Sequence, residues 1–519
     1  MSRLKYLLFA FILIPLNAAQ AIEINQQGAD KLKSYFQELL DYQKTVNDAL
    51  GSVQIEYKGD LVVKPEGTYY SATFPNIYIR APKIEGVPDN GNVFDMGVIK
   101  INAKPDNKSG YWNTIITLPS KMTLKGKTPE EDFSILFKEQ RSIGLFSEKI
   151  GYFTSLDMRL AGIKFQAASQ DVGINIGSTQ ILMKMEDDGK GLFSGPGHVK
   201  INDMNIAPPD TKETFKADEL RVDFTVNKMK MPSLKEYKDK ILKYAETFKS
   251  IQSENTDDIK GMDVFNMITD MYDMDLEGFT VKYSAKGVGI SSDPNNQSFN
   301  SVYLGTTYIG FGFENVKSES GSMSINSGYD TIKISPTDPE YKDIIPQNMD
   351  INISALKIPY GSLTKIATNT AKAIATDPNS AQMAGVGVLM RLPALLSQAG
   401  TEISVEKNGI KNKIYNLTLD GKVLTDLSAM TGFTAQFNAL FGGLDALLAI
   451  AKKNAANKDS KNAPSFAEMA SKLEGLKAAG KAQKGSDGKP AYAYDIQATP
   501  EGKFLVNGKE ASTIFAPKQ

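Results

Sequence analysis

The chain contains few residues of the kinds that usually carry out catalysis. It has one histidine, His198, and no cysteine among 519 residues. His198 occupies the variable second position of a strand-like motif that recurs in the sequence, which is a poor location for a general base. The composition excludes thiolate chemistry and metal sites built from several His or Cys ligands. A serine–histidine–aspartate arrangement would depend on His198 alone.

Carboxylates are the remaining candidates for chemistry. Asp273, Asp275 and Glu277 alternate along the chain, so they would share one face of a strand, or could hold calcium on a turn. The glycine and the distal glutamate of the usual calcium loop are absent, and Met274 and Leu276 favour a plain strand. A hydrolase needs only two suitably placed acids, and nothing in the sequence selects a pair. We therefore predict no catalytic residue, no metal ligand and no cofactor.

Residues 1–21 have the pattern of a cleavable secretory signal. Arg3 and Lys5 precede an apolar run over residues 6–16, and Ala19-Gln20-Ala21 matches the small-x-small pattern of a cleavage site. The run is shorter than the roughly 20 apolar residues that span a bilayer. We expect a mature protein that begins near Ile22 and is located in the periplasm or outside the cell.

The rest of the composition restricts the partners. Without cysteine the chain has no site for a lipid anchor after the signal, and no later segment has the pattern of a transmembrane helix. Basic and acidic residues number 59 and 60, so no overall positive charge favours nucleic acid. Lipid or another envelope component remains as the expected partner, with no stable transmembrane span after cleavage.

A six-residue pattern recurs four times and indicates repeated strands. It reads glycine, any residue, an apolar residue, any residue, Ile or Val, and Asn, and it occurs at residues 97–102, 197–202, 321–326 and 502–507. An alternating segment followed by a glycine precedes each copy, which is typical of a hairpin. The distance between the two segments is nearly constant in the first three units and much longer in the fourth, which indicates an insertion there.

The predicted fold is α+β, with tandem antiparallel β-sheet units, covering amphipathic helices and an elongated repeat-like architecture. A helix is expected over Gln26–Leu50, and capping signals at Thr128, Ser233 and Ser362 predict a helix after each of the first three units. The predicted divisions are the signal peptide 1–21, an N-terminal helix with the first β unit and its helix 22–151, a second unit 152–275, a third 276–400 and a fourth 401–519.

The insertion in the fourth unit, residues 425–490, is predicted to be helical. The apolar spacing over Asp426–Lys453 favours one amphipathic helix, and Ser465 with Glu468 would cap a second. Such a hairpin could pack on its sheet or act as a lid over a ligand. Its large apolar side chains are the candidate contacts to an apolar ligand, namely Phe437, Leu440, Phe441, Leu444, Leu448 and Phe466.

The end of the chain resembles a known family. Gly502-Lys503-Phe504-Leu505-Val506-Asn507, preceded by the helical Leu392-Pro393-Ala394 and the strand Tyr415–Leu419, is similar to the closing part of the YdgA-like bacterial envelope proteins. The cleavable signal and the long insertion depart from that pattern. Tandem β units after an export signal also resemble the AsmA-type envelope proteins, which are associated with lipid handling. These resemblances imply an envelope location and supply no catalytic residues.

Three functions follow as hypotheses. The first is a non-enzymatic binder of lipid-like apolar molecules, which would lie on apolar sheet faces. The second is a structural or interaction protein of the envelope whose core is fully closed. The third is a carboxylate-dependent hydrolase, which has the least support because no pair of acids is marked by its spacing. Whether the apolar faces are open or closed distinguishes the first two.

Overall fold

The protein is described from a computed structural model over a defined part of the chain, namely residues 24–50, 53–80, 92–108, 110–126, 128, 132–167, 171–209, 212–252, 262–263, 266–267, 276–292, 300–377, 381–485 and 488–514. The predicted signal peptide, Asp273 and Asp275 lie outside these residues. The chain divides into two compact units, Met1–Leu276 and Glu277–Gln519. This division falls within one residue of the predicted boundary between the second and third β units.

The first unit contains a region of short strands, followed by four long strands that pair with one another in order. The helices whose bounds the structure describes in this unit are α1 (Gln26–Leu50) and α2 (Leu234–Gln252). Its strands are β1 (Gln54–Lys58), β2 (Val62–Glu66), β3 (Tyr69–Thr73), β4 (Asn76–Arg80), β5 (Val93–Asp95), β6 (Lys100–Pro105), β7 (Tyr111–Thr117), β8 (Lys121–Lys125), β9 (Phe133–Leu136), β10 (Glu139–Ser147), β11 (Tyr152–Ala167), β12 (Asp171–Lys184), β13 (Glu186–Asp187), β14 (Leu192–Ile206) and β15 (Thr214–Lys230).

Successive chain segments of the first unit pair with one another in an antiparallel arrangement. Strands β3 and β4 pair with β2 and β1 on one side and with β6 and β5 on the other, and the same pattern continues through β7, β8, β9 and β10 to β11. Strands β11, β12, β14 and β15 then pair in that order. Helix α1 contacts β1 and β2, and its Phe36 ring lies 5.1 Å from the ring of Phe74 in a buried core.

The second unit also has antiparallel strands in nearly sequential order. Its helices are α3 (Tyr360–Thr376), α4 (Ala381–Ala399), α5 (Leu444–Ala455), α6 (Ala463–Ala479) and the short α7 (Ala511–Ile514). Its strands are β16 (Gly278–Ser291), β17 (Ser301–Glu314), β18 (Gly321–Ser335), β19 (Asn348–Ile358), β20 (Glu402–Lys411), β21 (Asn416–Thr425), β22 (Phe433–Gly442), β23 (Lys481–Lys484), β24 (Pro490–Ala498), β25 (Phe504–Val506) and β26 (Lys509–Glu510).

Each strand from β16 to β22 pairs with the next, and β22 then pairs with β24. Helices α3 and α4 connect β19 to β20, and helices α5 and α6 follow β22. The mixed composition of helices and antiparallel strands confirms the predicted α+β class at that level. The capping box at Ser233 is also confirmed, because the Ser233 and Glu236 side chains exchange hydrogen bonds with each other's backbone N–H groups at the start of α2.

The prediction of a helix after Thr128 is wrong. Residues 133–136 and 139–147 are strands β9 and β10. Strand β9 pairs with β8 and β11, and its Phe133 ring lies 5.8 Å from that of Phe165 on β11. The local capping pattern is therefore overridden by cross-strand pairing on both sides of the segment, which buries more apolar surface than an isolated helix would.

The prediction of one amphipathic helix over Asp426–Lys453 within the insertion is also wrong in part. The segment Phe433–Gly442 is strand β22, and only α5 and α6 are helical, with β23 following them. Within β22 every second residue is apolar, namely Phe433, Ala435, Phe437, Ala439 and Phe441, so the segment also fits a strand. Pairing with β21 and β24 on both edges selects the strand.

The four copies of the six-residue pattern lie on or beside strands. Gly97 precedes β6, Gly197 lies inside β14, Gly321 begins β18 and Gly502 precedes β25. The second and third copies occupy comparable places, because each is on the third of four strands that pair in order. The fourth copy lies at a three-residue strand and has no such setting.

Candidate apolar ligand-binding face

Strands β16 to β20 bring apolar side chains together in rows across one face of the sheet. Paired residues of antiparallel strands have their side chains on the same face, as do residues two apart along a strand. One row runs from Val281 through Phe311, Ile325 and Ile353 to Val405. The neighbouring rows on this face pass through Tyr283 and Ile309, and through Met323, Ala355 and Ile403.

Much of this face is accessible to solvent. Six of its large apolar side chains have exposed fractions between 37% and 51%, namely Tyr283, Ile309, Phe311, Ile325, Ile353 and Ile403, whereas Val281 and Val405 at the two ends of the first row are buried. We call the side of β16–β20 that carries these six residues the open apolar face. Isolated exposed apolar residues are ordinary, but six on neighbouring strands form a continuous patch of the kind associated with binding.

The opposite face of the same strands is polar. Lys282 lies over the ring of Tyr308 at 4.5 Å, and the Tyr308 hydroxyl donates a hydrogen bond of 2.7 Å to Asp350. Burial is the main cause that raises the pKa of Tyr308, to about 12, with Asp350 contributing. The two faces therefore differ strongly in polarity, although neither of them is covered like a protein core.

A line of unusual backbone crosses these strands. Gly287, Gly305 and Thr331 lie level with one another on β16, β17 and β18, and both Gly287 and Thr331 have φ of 59°. A residue in this left-handed region interrupts the alternation of an extended strand, and the apolar positions shift by one residue across the line. Beyond it, Ile290 and Ile334 are exposed and pair through Val302, so exposed apolar surface continues there.

The same side of the sheet is closed at the other end of the second unit. The row that contains Ile325 and Ile353 continues through Gly421 to Phe437 and Ile496. Next to it, helices α5 and α6 cover β22 and β24 and enclose a cluster of buried side chains. The apolar side of the sheet is thus covered by helices at β22–β24 and exposed at β16–β20.

The predicted contacts from the insertion fall into three groups. Phe441, Leu444, Leu448 and Phe466 are all buried in the core beneath α5 and α6, which removes them from the accessible apolar surface. Leu440 points to the opposite face, because it lies one residue from Phe441 along β22. Phe437 is partly exposed, as Leu440 is, but lies on a row that continues from the open apolar face.

The residues of the open apolar face were not predicted as ligand contacts. The signal for them was present in the alternation of Phe279, Val281 and Tyr283 and in the Ile-rich strands that follow. Alternation identifies which residues share a face but does not tell whether a helix covers that face. The sequence therefore predicts ligand contacts in the helical insertion, where most of the candidate apolar residues are buried in the core.

His198 lies on a polar face of the first unit. It pairs with Leu182 on β12 and Asp223 on β15, next to Arg221, which forms a 2.6 Å ion pair with Asp223. Its Nε2 atom is buried and has no hydrogen-bond partner within the described residues. Burial lowers the pKa of His198 below its ordinary value, and the positive charge of Arg221 lowers it further. Burial and the neighbouring Arg221 therefore disfavour the protonated imidazole in the folded protein.

Acidification should therefore destabilise the protein through His198. The unfolded chain binds a proton at the ordinary histidine pKa of about 6.5, while the folded protein resists protonation, so stability falls as the pH drops below about 6.5. We expect His198→Gln to lose less stability than the wild type between pH 7.5 and pH 5.5, measured by urea denaturation. Because the chain has one histidine, equal losses in both proteins would contradict the assignment.

Comparison with known proteins gives no relative. A scan against family models and searches of curated proteins and of solved structures found no significant match to the chain. Among the helices that the structure describes, none is both long enough and apolar enough to cross a membrane. The resemblance to envelope families therefore stays a prediction.

Proposed function

We propose that the protein is a non-enzymatic, exported protein of the cell envelope that binds lipid-like apolar molecules on the open apolar face. One observation carries the proposal, namely the six large apolar side chains that are exposed on the neighbouring strands β16 to β20. The expected signal peptide and the resemblance to envelope proteins associated with lipid handling support the location.

The energetics of such binding are sufficient. An acyl chain gains about 0.8 kcal/mol for each buried methylene, so about 12 methylenes contribute roughly 10 kcal/mol before the costs of ordering. Five strands at a spacing of about 4.8 Å extend over roughly 19 Å, which offers a long apolar track. The polar reverse face keeps the sheet soluble while the ligand occupies the apolar side.

The two units support a tandem arrangement within this proposal. Strands β11, β12, β14 and β15 of the first unit and β16 to β19 of the second pair in chain order, and each set is followed by a helix. In the first unit Met158, Ile181, Val199 and Val222 form a comparable half-buried apolar row. We interpret the sets as copies of one sheet module with an apolar side.

The alternative of a structural protein with a fully closed core is supported by the buried core beneath α1 in the first unit and, in the second unit, by β22–β24, where α5 and α6 cover the sheet. The exposed fractions on β16–β20 weigh against extending that closure to the rest of the unit. A structural role would require a protein partner on this face, which cross-linking in cells would recover in place of lipid.

A matched pair of double variants tests the proposal. Ile325 and Ile353 are cross-strand neighbours on the open apolar face, and Ser324 and Ser354 are the adjacent cross-strand neighbours on the reverse face. We expect Ile325→Asn with Ile353→Asn to weaken binding of a dansyl-labelled fatty acid at least about tenfold, because each isoleucine gives up roughly 1.5 kcal/mol of apolar contact. The serine-to-asparagine pair should bind like the wild type.

Mass spectrometry of extracts from the purified proteins provides a second measurement. Lipid should accompany the wild type and the serine variant and be depleted in the isoleucine variant, and the N-terminal residue identified in the same samples tests cleavage after Ala21. Equal binding by both double variants, or no lipid with any protein, would refute the proposal. Because all four positions are partly exposed, thermal unfolding should confirm that both variants fold.

A further inference from the structure

The hairpin of α3 and α4 carries an exposed apolar stripe that the proposed function does not use. Met383, Val386, Leu389 and Met390 have exposed fractions between 51% and 81%. Their spacing at i, i+3, i+6 and i+7 places them along one side of α4. Helix α3 contributes no buried side chain of its own, so the hairpin does not form a conventional helix pair with a closed core.

The base of the α3–α4 hairpin is fixed at one end of the sheet. The Thr401 hydroxyl, just after α4, donates a hydrogen bond of 2.9 Å to the Lys357 carbonyl at the end of β19, and the Thr401 N–H donates to the Leu396 carbonyl at 2.9 Å. The N–H of Ser362 in the first turn of α3 donates to a Glu319 carboxylate oxygen at 3.3 Å. The exposed stripe therefore belongs to an anchored element beside the strands of the open apolar face.

All charged side chains of α3 and α4 are basic. Lys365 and Lys372 on α3 and Arg391 on α4 are exposed, and neither helix contains an aspartate or glutamate. Arg391 follows the apolar stripe directly in sequence but lies off it around the helix. An exposed apolar stripe accompanied by basic residues of the same hairpin, on a 19-residue helix that is not apolar enough to span a membrane, is the pattern of a helix that lies in a membrane interface.

We infer that α4 docks onto the surface of an anionic phospholipid bilayer, inserting its apolar stripe between the headgroups while Lys365, Lys372 and Arg391 contact lipid phosphates. Methionine suits this role because its flexible side chain adapts to disordered neighbours. The inference goes beyond binding of a single lipid by the sheet, because it concerns a different surface and a bilayer as partner. Docking would bring the end of the open apolar face close to a source of lipid.

The absence of native cysteine allows a clean test in the full chain. Met390→Cys, labelled with an environment-sensitive nitrobenzoxadiazole probe, should increase several-fold in fluorescence and shift to the blue on addition of vesicles with phosphatidylglycerol. Met430→Cys, with the same label, is the matched control because Met430 is 83% exposed at a turn before β22. It should show no change. A response equal in both, or absent at Met390, would overturn the inference.

Charge-bearing variants measure the contribution of the stripe. We expect Leu389→Lys with Met390→Lys to lower the fraction of protein bound to these vesicles at least about tenfold, and vesicles of phosphatidylcholine alone to bind the wild type much more weakly. Equal binding to both kinds of vesicle would overturn the choice of an anionic surface. A probe response that appears without vesicles and rises with protein concentration would instead assign the stripe to a second copy of the chain.

Lipid binding by the open apolar face and membrane docking by α4 can be tested separately. The Leu389 and Met390 variants should keep the lipid that co-purifies with the sheet, because these residues are not part of the open apolar face. The Ile325 and Ile353 variants should keep vesicle binding. Loss of vesicle binding in the isoleucine variants, with full binding in the helix variants, would overturn the inference about α4.

Discussion

Replacing Phe466 with alanine is expected to lower the free energy of unfolding of the second unit by about 3–5 kcal/mol. Phe466 is almost fully buried between α6 and the sheet, and its ring lies 5.0 Å from the ring of Tyr341. Truncation removes the apolar contacts of the ring and leaves a cavity that the neighbouring strands cannot fill. Helices α5 and α6 should detach from β22 and β24 more readily as a result.

Hydrogen exchange measured by mass spectrometry is the suitable method. The only tryptophan, Trp112, lies in the first unit, so its fluorescence would not report unfolding around α6. Peptides from α5, α6 and β22 should exchange much faster in Phe466→Ala, while peptides from α1 should not change. Phe504→Ala is the control because Phe504 is 53% exposed, and it should have little effect. Slow exchange throughout α5 and α6 in both variants would contradict the closed core.

The Phe466 variant also tests the relation between the two ends of the sheet. The open apolar face and the side covered by α5 and α6 share rows of residues, such as the one through Ile353, Val405, Gly421 and Phe437. When the helices detach, the apolar surface should extend to β24, and binding of a dye such as ANS should rise above the wild-type level. The same side of one sheet thus forms a core where helices cover it and an accessible apolar surface where they do not.

Sequence patterns predicted the strands of this protein well, because alternation is a local property of each segment. The segments around Val281, Leu156 and Val405 were assigned correctly from alternate apolar positions, and they lie in β16, β11 and β20. The capping box at Ser233 also marks a real helix start, since it is satisfied by hydrogen bonds within three residues.

The failures of sequence reasoning share one cause. At Thr128 and at Phe433–Gly442 the local pattern was compatible with a helix, while the stabilising partners were strands elsewhere in the chain. Pairing of β22 with β24 joins residues such as Phe441 and Tyr492, separated by two helices, and no local pattern contains that information. For the same reason the sequence could not tell that Phe466 is buried while Ile309 is exposed.

A large loss of stability is also expected when Gly443 is replaced, because of its backbone conformation. Gly443 connects β22 to α5 with φ of 76°, and a Cβ atom at this position would lie 2.0 Å from the carbonyl oxygen of Ile414. We expect Gly443→Ala to lower the free energy of unfolding by at least about 3 kcal/mol, because the left-handed conformation is strained for alanine and the backbone must also shift. Urea denaturation followed by far-ultraviolet circular dichroism would measure it.

The Gly432→Ala variant separates the cost of the left-handed conformation from the cost of the steric clash. Gly432 precedes β22 with φ of 78°, nearly the same conformation, but no atom lies within 4 Å of the Cβ position. Its substitution should cost only about 1–2 kcal/mol, which is the strain of the left-handed region without a clash. Equal costs at the two glycines would mean that the turn at Gly443 and the backbone at Ile414 do not approach as closely as described. A larger cost at Gly443 would show that the close approach of the turn to the Ile414 backbone requires glycine where β22 leads into α5.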